Sequence, residues 1–185
     1  MLKRNLLRAA ALGAIVMTPA VHAQQSSKPA ALTPADYIEI QQLGSRYAYA
    51  IDNCLDNGYN YADLYTADGV FKTSQAGRSG TSYQGRDRLA EAARGGMKSC
   101  AEVPWKGIVH VLANHVIVPS AEGATGTVYL IAIGLDGDPH KVEAQGQYQD
   151  VYVKTSQGWR FKSRLHVLTP GQDPVSRGSK PPTPK

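Results

Sequence analysis

The sequence of 185 residues predicts an α+β domain whose helices come first and whose sheet follows. After residue 33, apolar residues recur every three or four positions, which is typical of one face of a helix. From Val103 onward, apolar and polar residues alternate, which is typical of strands that bury one face. Helices and strands segregated in this way pack as a sheet covered by helices. A long curved sheet of this kind tends to leave a pocket between the two layers.

The longest helix is predicted over residues 33–55. Thr33 is a typical N-cap, Pro34 suits the first helical position, and Asp36 lies where a capping partner is expected. An apolar stripe follows at spacings of three and four, formed by Ile40, Leu43, Tyr47, Ile51 and Cys54.

Shorter elements separate this helix from the sheet. Helices are predicted over about 59–65 and 89–97, with a strand at 69–72 and one short strand or none within 75–85. Four long strands then follow, joined by turns rich in Gly and Asp, over about 106–118, 125–134, 141–154 and 158–168. Consecutive strands with short turns predict an antiparallel meander.

Residues 1–23 have the pattern of a secretory signal. A positive start with Lys3, Arg4 and Arg8 precedes a short apolar stretch and a small-residue cleavage site that ends at Ala23. The stretch is too short and too interrupted to span a bilayer. We therefore expect export, to the periplasm of a bacterium, and no membrane attachment after cleavage. An uncleaved anchor or a disordered tail is the alternative.

The rest of the chain is expected to contain a polar linker at 24–32, one domain at 33–169 and a disordered, Pro-rich tail at 170–185. The formal net charge of +5 includes the three positive residues of the predicted signal, which leaves +2 for the mature chain. No basic run interleaved with aromatic residues occurs, so nucleic acid is not an expected partner.

The chain contains two cysteines, Cys54 and Cys100. In an oxidising compartment they favour a disulfide, which would stabilise the fold by about 4 kcal/mol through the loop that it closes. Two buried or half-exposed thiols are the alternative, because sequence does not show whether the side chains meet. Two cysteines so far apart do not form a zinc site.

An acid and an imidazole on different elements are the main candidates for catalysis. Asp52 lies near the end of the long helix, on the flank of its apolar stripe, and His110 lies on the first long strand. A carboxylate can hold an imidazole in one tautomer and stabilise its charged form, so that the imidazole moves protons near neutral pH. His115 is five residues from His110 and is expected on the opposite face with Val111, unless a bulge intervenes.

Further candidates lie on the strands and on the long helix. On the last strand, Arg164 and His166 are expected opposite Phe161 and Leu165, on a face that is either solvated or lines the cavity. In the cavity, Arg164 would stabilise an oxyanion or a leaving group. Tyrosines combine apolar surface with a hydroxyl group, and the candidates are Tyr47, Tyr129 and Tyr148.

Other chemistries find little support in the motifs. The sequence has no Gly-rich phosphate loop, no nucleophile elbow and no HExxH motif. Dispersed histidines do not have metal-ligand spacing. Acid–base chemistry without a metal or an organic cofactor is therefore the expectation.

Five short motifs follow one another in order: DYIEIQQLGSRYAYAID, NYADLYTADGVF, GRDRLAEAA, HVLANHVI and GQYQDVYVKTSQGWRFKSR. With these motifs, residues 36–167 resemble the SnoaL-like branch of the nuclear-transport-factor-two-like superfamily. The resemblance implies a curved sheet wrapped around a long helix, with a cone-shaped cavity. It also implies that Asp52 pairs with His110, that Tyr47 matches a tyrosine of some dehydratases, and that the protein is a homodimer.

The leading hypothesis is a lyase that acts on a small apolar molecule, aromatic, terpenoid or lignin-derived. His110, oriented by Asp52, would remove a proton, and Tyr47 or another polar group would donate to the departing oxygen. Arg164, Tyr129, Tyr148 and His115 are the candidate substrate contacts. Elimination of water is the first expectation, and cleavage of a carbon–carbon bond is a close variant. The alternatives are a periplasmic module that only binds a hydrophobic ligand, and an isomerase or epoxide hydrolase.

Overall fold

The computed structural model describes residues 31–75, 78–104, 106–136 and 139–168. The predicted signal, most of the predicted linker and the predicted tail lie outside these residues, so their boundaries stay predictions. Within the described ranges, no helix has both the length and the apolar character needed to cross a membrane.

Three α-helices form within the described residues, and their order agrees with the sequence-based expectation: α1 is Pro34–Asn53, α2 is Tyr59–Ala62 and α3 is Arg86–Ala93. The start of α1 has the expected capping box, since Thr33 Oγ1 accepts the Asp36 N–H at 3.3 Å and Asp36 Oδ2 accepts the Thr33 N–H at 2.9 Å. Asp36 also accepts hydrogen bonds from Lys154 Nζ at 2.7 Å and Trp159 Nε1 at 2.9 Å. These contacts fix the start of the helix to the last two strands.

Six strands form one sheet: β1 is Tyr65–Gln75, β2 Arg78–Gln84, β3 Ile108–Ser120, β4 Gly123–Gly134, β5 Lys141–Thr155 and β6 Gly158–Leu168. Their order is β2-β1-β6-β5-β4-β3, and the sheet is not closed. Strands β3 to β6 form the expected antiparallel meander, whereas β1 pairs in parallel with β6. The α+β class and the mixed sheet are confirmed.

The inner face of the sheet packs on α1. This helix contacts both β3 and β6, although β4 and β5 lie between them, so the sheet must curve around the helix. Side chains of both layers form one core, in which Ile40, Leu43 and Tyr47 of α1 are fully buried with Tyr152 and Phe161 of the sheet. Aromatic side chains bury large apolar areas, so their burial stabilises this core.

Two β-bulges change which side chains face the core. In β3, Asn114 and His115 lie between successive register pairs, and Asn114 has a left-handed backbone with φ 56°. In β6, Lys162 is the extra residue between Phe161 and Ser163. Because strand side chains alternate with a period of two, one extra residue moves all later side chains to the opposite face.

Cys54 and Cys100 form a disulfide, which decides between the two alternatives that the sequence left open. Their sequence separation is 46, and closing a loop of this length stabilises the folded state by about 4 kcal/mol in the chain-entropy model. The bond joins the end of α1 to the segment before β3. It therefore links the two elements that carry Asp52 and His110.

Candidate active site

Asp52 and His110 meet at the edge of the sheet. His110 Nδ1 lies 2.5 Å from Asp52 Oδ1, and the His110 backbone N–H donates to the same carboxylate, at 3.0 Å to Oδ2 and 3.2 Å to Oδ1. This backbone N–H is free for the carboxylate because β3 is an edge strand. The resemblance implied this pair, and the geometry agrees with it.

The contact with Asp52 determines what the other ring nitrogen of His110 can do. A carboxylate at Nδ1 favours the tautomer in which Nδ1 carries the proton and Nε2 carries the lone pair. The side chains of His110 and Asp52 remain 11% and 14% exposed. Nε2 can therefore act as a base at the border of the inner face, and Asp52 can stabilise the imidazolium that results.

His115 lies on the inner face, and the expectation that it faces away from His110 is wrong. The β3 bulge at Asn114 reverses its orientation. His115 Nε2 is 2.9 Å from the Tyr152 hydroxyl, which donates to Asp150 Oδ2 at 2.7 Å. Burial lowers the pKa of His115, although the charge of Asp150 acts in the opposite direction. His115 thus belongs to a structural network that includes Tyr152 and Asp150.

Arg164 is completely buried at the centre of this network. Its Nε and Nη2 donate to the two oxygens of Asp150 at 2.8 and 2.7 Å, and its guanidinium lies 4.0 Å from the ring centre of Tyr47. The expected alternation of the last strand is wrong, because the bulge at Lys162 places Arg164 on the same inner face as Phe161. Nη1 is buried and has no partner within the described residues.

The three candidate tyrosines lie in two different environments. Tyr47 and Tyr148 are buried, and the Tyr47 hydroxyl donates to the Tyr148 hydroxyl at 2.8 Å. Burial raises the pKa of both phenols, so both are neutral at pH 7. Tyr129 is 54% exposed and pairs in register with Ala113 on the outer face. The structure therefore places Tyr129, a candidate substrate contact, on the face of the sheet opposite to the inner face.

His166 is a further site candidate that the structure reveals. The sequence predicted that it lies on the face opposite Phe161. The β6 bulge places it instead on the inner face, with its ring centre 5.0 Å from that of Tyr148. Its Nε2 is buried and has no partner within the described part of the chain. Burial, and then the nearby charges of His110 and Arg164, lower the pKa of His166 to about 4. The sequence around Lys162 carries no signal for this bulge, which is defined only by the pairing of β6 with β5.

We expect His166 to destabilise the fold as the pH falls from about 6.5 to 4. In this window the unfolded chain binds a proton at His166 and the folded chain does not, so stability decreases by about 3 kcal/mol. Urea unfolding at pH 7 and pH 4 measures the decrease. His166→Phe should lose clearly less stability than the parent, whereas His140→Phe, at an exposed position, should lose as much as the parent. Equal losses in the parent and in His166→Phe would contradict the assignment.

Known proteins are similar to this chain over the region that contains its helices and its sheet. A family model described as the SnoaL-like domain matches residues 33–165. A protein of unknown function with a cystatin-like fold from Nostoc punctiforme is 20% identical, with a TM-score of 0.63 over 76% of this chain and 96% of that one. A comparison with curated proteins finds no significant match.

Two other solved structures share the fold. An NTF2-like protein from Novosphingobium aromaticivorans is 20% identical, with a TM-score of 0.61 over 74% of this chain and 84% of its own. A protein from Catenulispora acidiphila in complex with S-DNPA is 23% identical, with a TM-score of 0.60 over 74% of this chain and 95% of its own. At these identities the likeness concerns the fold, and it agrees with the cystatin-like architecture described above.

Proposed function

Because the chain belongs to the SnoaL-like family, we propose that it is a cofactor-independent acid–base lyase for a small, largely apolar molecule. The observation that carries this proposal is the contact of 2.5 Å between Asp52 and His110, which leaves Nε2 of a partly exposed histidine as the base. The aromatic side chains of the inner face favour a ring-containing substrate.

In the proposed reaction, His110 Nε2 removes a proton from a carbon next to a carbonyl group, and Asp52 stabilises the imidazolium. The protonated imidazole then returns the proton to a hydroxyl group on the next carbon, which leaves as water. Tyr47 was the expected proton donor, but it is buried and its hydroxyl donates to Tyr148. We therefore assign both proton transfers to His110, with Tyr47 supporting the core beneath the site.

Probe compounds test the proposal. With 1-tetralone in D₂O, the protein should catalyse exchange of the protons next to the carbonyl group, as read by NMR. With 3-hydroxy-1-tetralone, loss of water gives 1-naphthol, which is read by its fluorescence. Both reactions should depend on His110. Exchange and elimination no faster than in buffer without protein would contradict the proposal. Rates in His110→Ala equal to those of the parent protein would contradict it as well.

A module that only binds a hydrophobic ligand is the second candidate. It is favoured by Tyr47, whose buried hydroxyl donates to Tyr148 and is therefore not available as the proton donor of a lyase. Binding of 1-tetralone with no exchange in D₂O would support this candidate over the lyase. A lyase that cleaves carbon–carbon bonds, an isomerase and an epoxide hydrolase would use the same base and differ in their products.

Export and cleavage after Ala23 also belong to the proposal. The pattern of residues 1–23 supports them. Expression with the native N-terminus, followed by N-terminal sequencing of the periplasmic fraction, would detect a mature chain that begins at Gln24. Retention of the full-length chain in the cytoplasm would contradict export.

We further propose a homodimer formed through the outer face of the sheet. The exposed apolar side chains of this face are Val111, Val116, Val118, Tyr129 and Ile131. The face also has two hollows, of 480 and 420 Å³, that can receive side chains of a second copy. Exposed apolar surface of this kind commonly marks an interface.

Sedimentation of a variant with one substitution tests the proposed dimer. Val116→Asp places a charge among the exposed apolar side chains of the outer face and should give a monomer at concentrations where the parent is a dimer. Ile38→Asp is the matched control, because Ile38 on α1 is 59% exposed and Val116 is 60% exposed. A parent that sediments as a monomer, or a Val116→Asp variant that stays dimeric, would contradict this interface.

A further inference from the structure

The disulfide between Cys54 and Cys100 lies close in sequence to both members of the candidate catalytic pair. Asp52 is two residues before Cys54, and His110 is ten residues after Cys100. Along the chain itself, Asp52 and His110 are 58 residues apart. The disulfide therefore shortens the covalent connection between the acid and the base to about one fifth of its length.

The chain that follows Asp52 has an unfavourable backbone conformation. Cys54, Asp56 and Asn57 all lie in the left-handed region, with φ of 44°, 48° and 50°. These φ values are disfavoured for residues that have a Cβ atom, although Asp and Asn tolerate them better than other residues do. Such a segment keeps its conformation only where surrounding contacts hold it. The covalent bond at Cys54 is one of these contacts.

The chain that precedes β3 is also held by few contacts. Between the end of α3 and the start of β3, the described residues form only one short 3₁₀-helix, Cys100–Glu102. Two hydrogen bonds tie this region to Asn57: Arg94 Nη1 donates to the Asn57 carbonyl at 2.6 Å, and the Cys100 N–H donates to Asn57 Oδ1 at 3.2 Å. Both are exposed to water, so the disulfide is the strongest link between this segment and the end of α1.

The contact between His110 and Asp52 depends on how these two segments are placed. As an edge strand, β3 pairs with β4 on one side only, and on its other side the His110 N–H donates to Asp52. Neither cysteine belongs to the buried cluster through which α1 packs on the sheet. Loss of the disulfide would therefore act on the pair more directly than on the core.

We propose that Cys54 and Cys100 are positioning residues whose disulfide holds Asp52 against His110, and that reduction of this bond opens the pair while the sheet stays folded. The inference rests on the proposed function in one respect, since His110 is the base of that reaction. In a reducing compartment the site would be weakened, and oxidation of the two thiols would complete it.

The reduction itself needs only a thiol reagent. Cys54 is buried and Cys100 is half-buried, so a thiolate reaches the sulfur of Cys100 more easily. With dithiothreitol, one thiolate forms a mixed disulfide with Cys100, and Cys54 leaves as a thiolate that takes up a proton. The second thiol of the reagent then closes a cyclic disulfide and releases Cys100 as a thiol. The two cysteines gain two electrons and two protons in all, and dithiothreitol supplies them.

Spectra of protein labelled with ¹⁵N-histidine test the positioning role without a substrate. In the oxidised protein, Nδ1 of His110 should give the signal of a protonated ring nitrogen, because the Asp52 carboxylate lies 2.5 Å away. Reduction should move this signal towards that of an unprotonated nitrogen, and reoxidation should restore it. The ring signals of His115 and His166, which contact Tyr152 and Tyr148 on the inner face, should stay in place.

Three results of this experiment would overturn the proposal. The first is a disulfide that dithiothreitol does not reduce in the folded protein. The second is a His110 signal that stays unchanged after reduction. The third is a shift of all three histidines to the values of an unfolded chain, because the bond would then hold the whole fold together and not the pair in particular.

Proton exchange of 1-tetralone in D₂O provides the functional measurement. The effective concentration of two linked groups falls with about the −3/2 power of the chain length between them, so an approximately fivefold longer connection should slow exchange about two- to tenfold. The double variant Cys54→Ser with Cys100→Ser is the matched control. Its rate should equal that of the reduced parent and should not respond to dithiothreitol.

The disulfide and the base can fail independently. A parental exchange rate in the reduced protein or in the double serine variant overturns the positioning role and leaves the lyase standing. If neither the oxidised nor the reduced protein catalyses exchange, the lyase is wrong, and the His110 signal alone decides whether the disulfide positions the pair.

Discussion

Replacement of His110 by Ala is expected to lower the rate of proton exchange and of elimination by about 10²–10⁴-fold, because one positioned acid–base group contributes that much. Asp52→Asn should cause a loss in the same range. An amide keeps the shape of the carboxylate, but it does not stabilise the imidazolium and does not enforce the tautomer with the lone pair on Nε2. Rates for 1-tetralone exchange and 3-hydroxy-1-tetralone elimination measure both effects.

Asp56→Asn is the matched control for Asp52→Asn. Asp56 follows four residues later, it is exposed, and its backbone has φ 48°, which asparagine tolerates. This variant should keep the parental rate, and all three variants should unfold as cooperatively as the parent. Parental rates in both His110→Ala and Asp52→Asn would show that the dyad is not the active site. A rate for Asp56→Asn as low as that for Asp52→Asn would indicate a general effect of charge near the helix end.

Replacement of Asp150 by Asn is expected to lower the free energy of unfolding by about 3–5 kcal/mol. The substitution leaves the guanidinium of Arg164 charged and fully buried, without its counterion. Removing one partner of a buried pair is costly because the other charge keeps its full desolvation penalty. Tyr152 also loses the charged acceptor of its hydroxyl group. Urea unfolding at pH 7 measures the loss, with the denaturant midpoint and slope compared between variant and parent.

Asp63→Asn provides a control with nearly the same geometry on the surface. Arg86 donates to both oxygens of Asp63, at 2.6 and 3.0 Å, but the two side chains are 54% and 52% exposed. Solvent screens this pair, so its loss should change stability by less than about 1 kcal/mol. Equal effects of Asp150→Asn and Asp63→Asn would show that burial does not determine the energetics of the Arg164 pair.

A double variant examines why this buried pair is costly to break. Replacing both partners, as in Asp150→Leu with Arg164→Met, removes the unpaired charge and should recover a large part of the stability that Asp150→Asn loses. A double variant as unstable as Asp150→Asn would mean that the pair itself, and not the isolated charge, supports the core.

The sequence alone predicted the helices, the four long strands and the candidate catalytic pair of Asp52 and His110. Local signals are strong at the start of α1, where Thr33, Pro34 and Asp36 predict the cap that forms. Period-two alternation and Gly-rich turns predict the four long strands within a few residues of their observed ends. Asp52 and His110 were found because they lie in motifs of a recognisable family.

Only the tertiary structure decided which side chains share the inner face. The bulges at Asn114 and Lys162 each add one residue relative to the neighbouring strand, so they depend on pairing between segments that are distant in sequence. They bring His115, Arg164 and His166 to the inner face, contrary to a regular alternation. Tyr129, on a regular part of β4, stays outside.

The same limit applies to Cys54 and Cys100. The sequence shows that both residues are cysteines, which makes a disulfide chemically plausible. Only the packing of the end of α1 beside the segment before β3 brings the two sulfurs together. Side-chain type and periodicity are local properties, and a sequence carries them directly. Register, bulges and cross-links are properties of pairs of segments, and the folded chain alone establishes them.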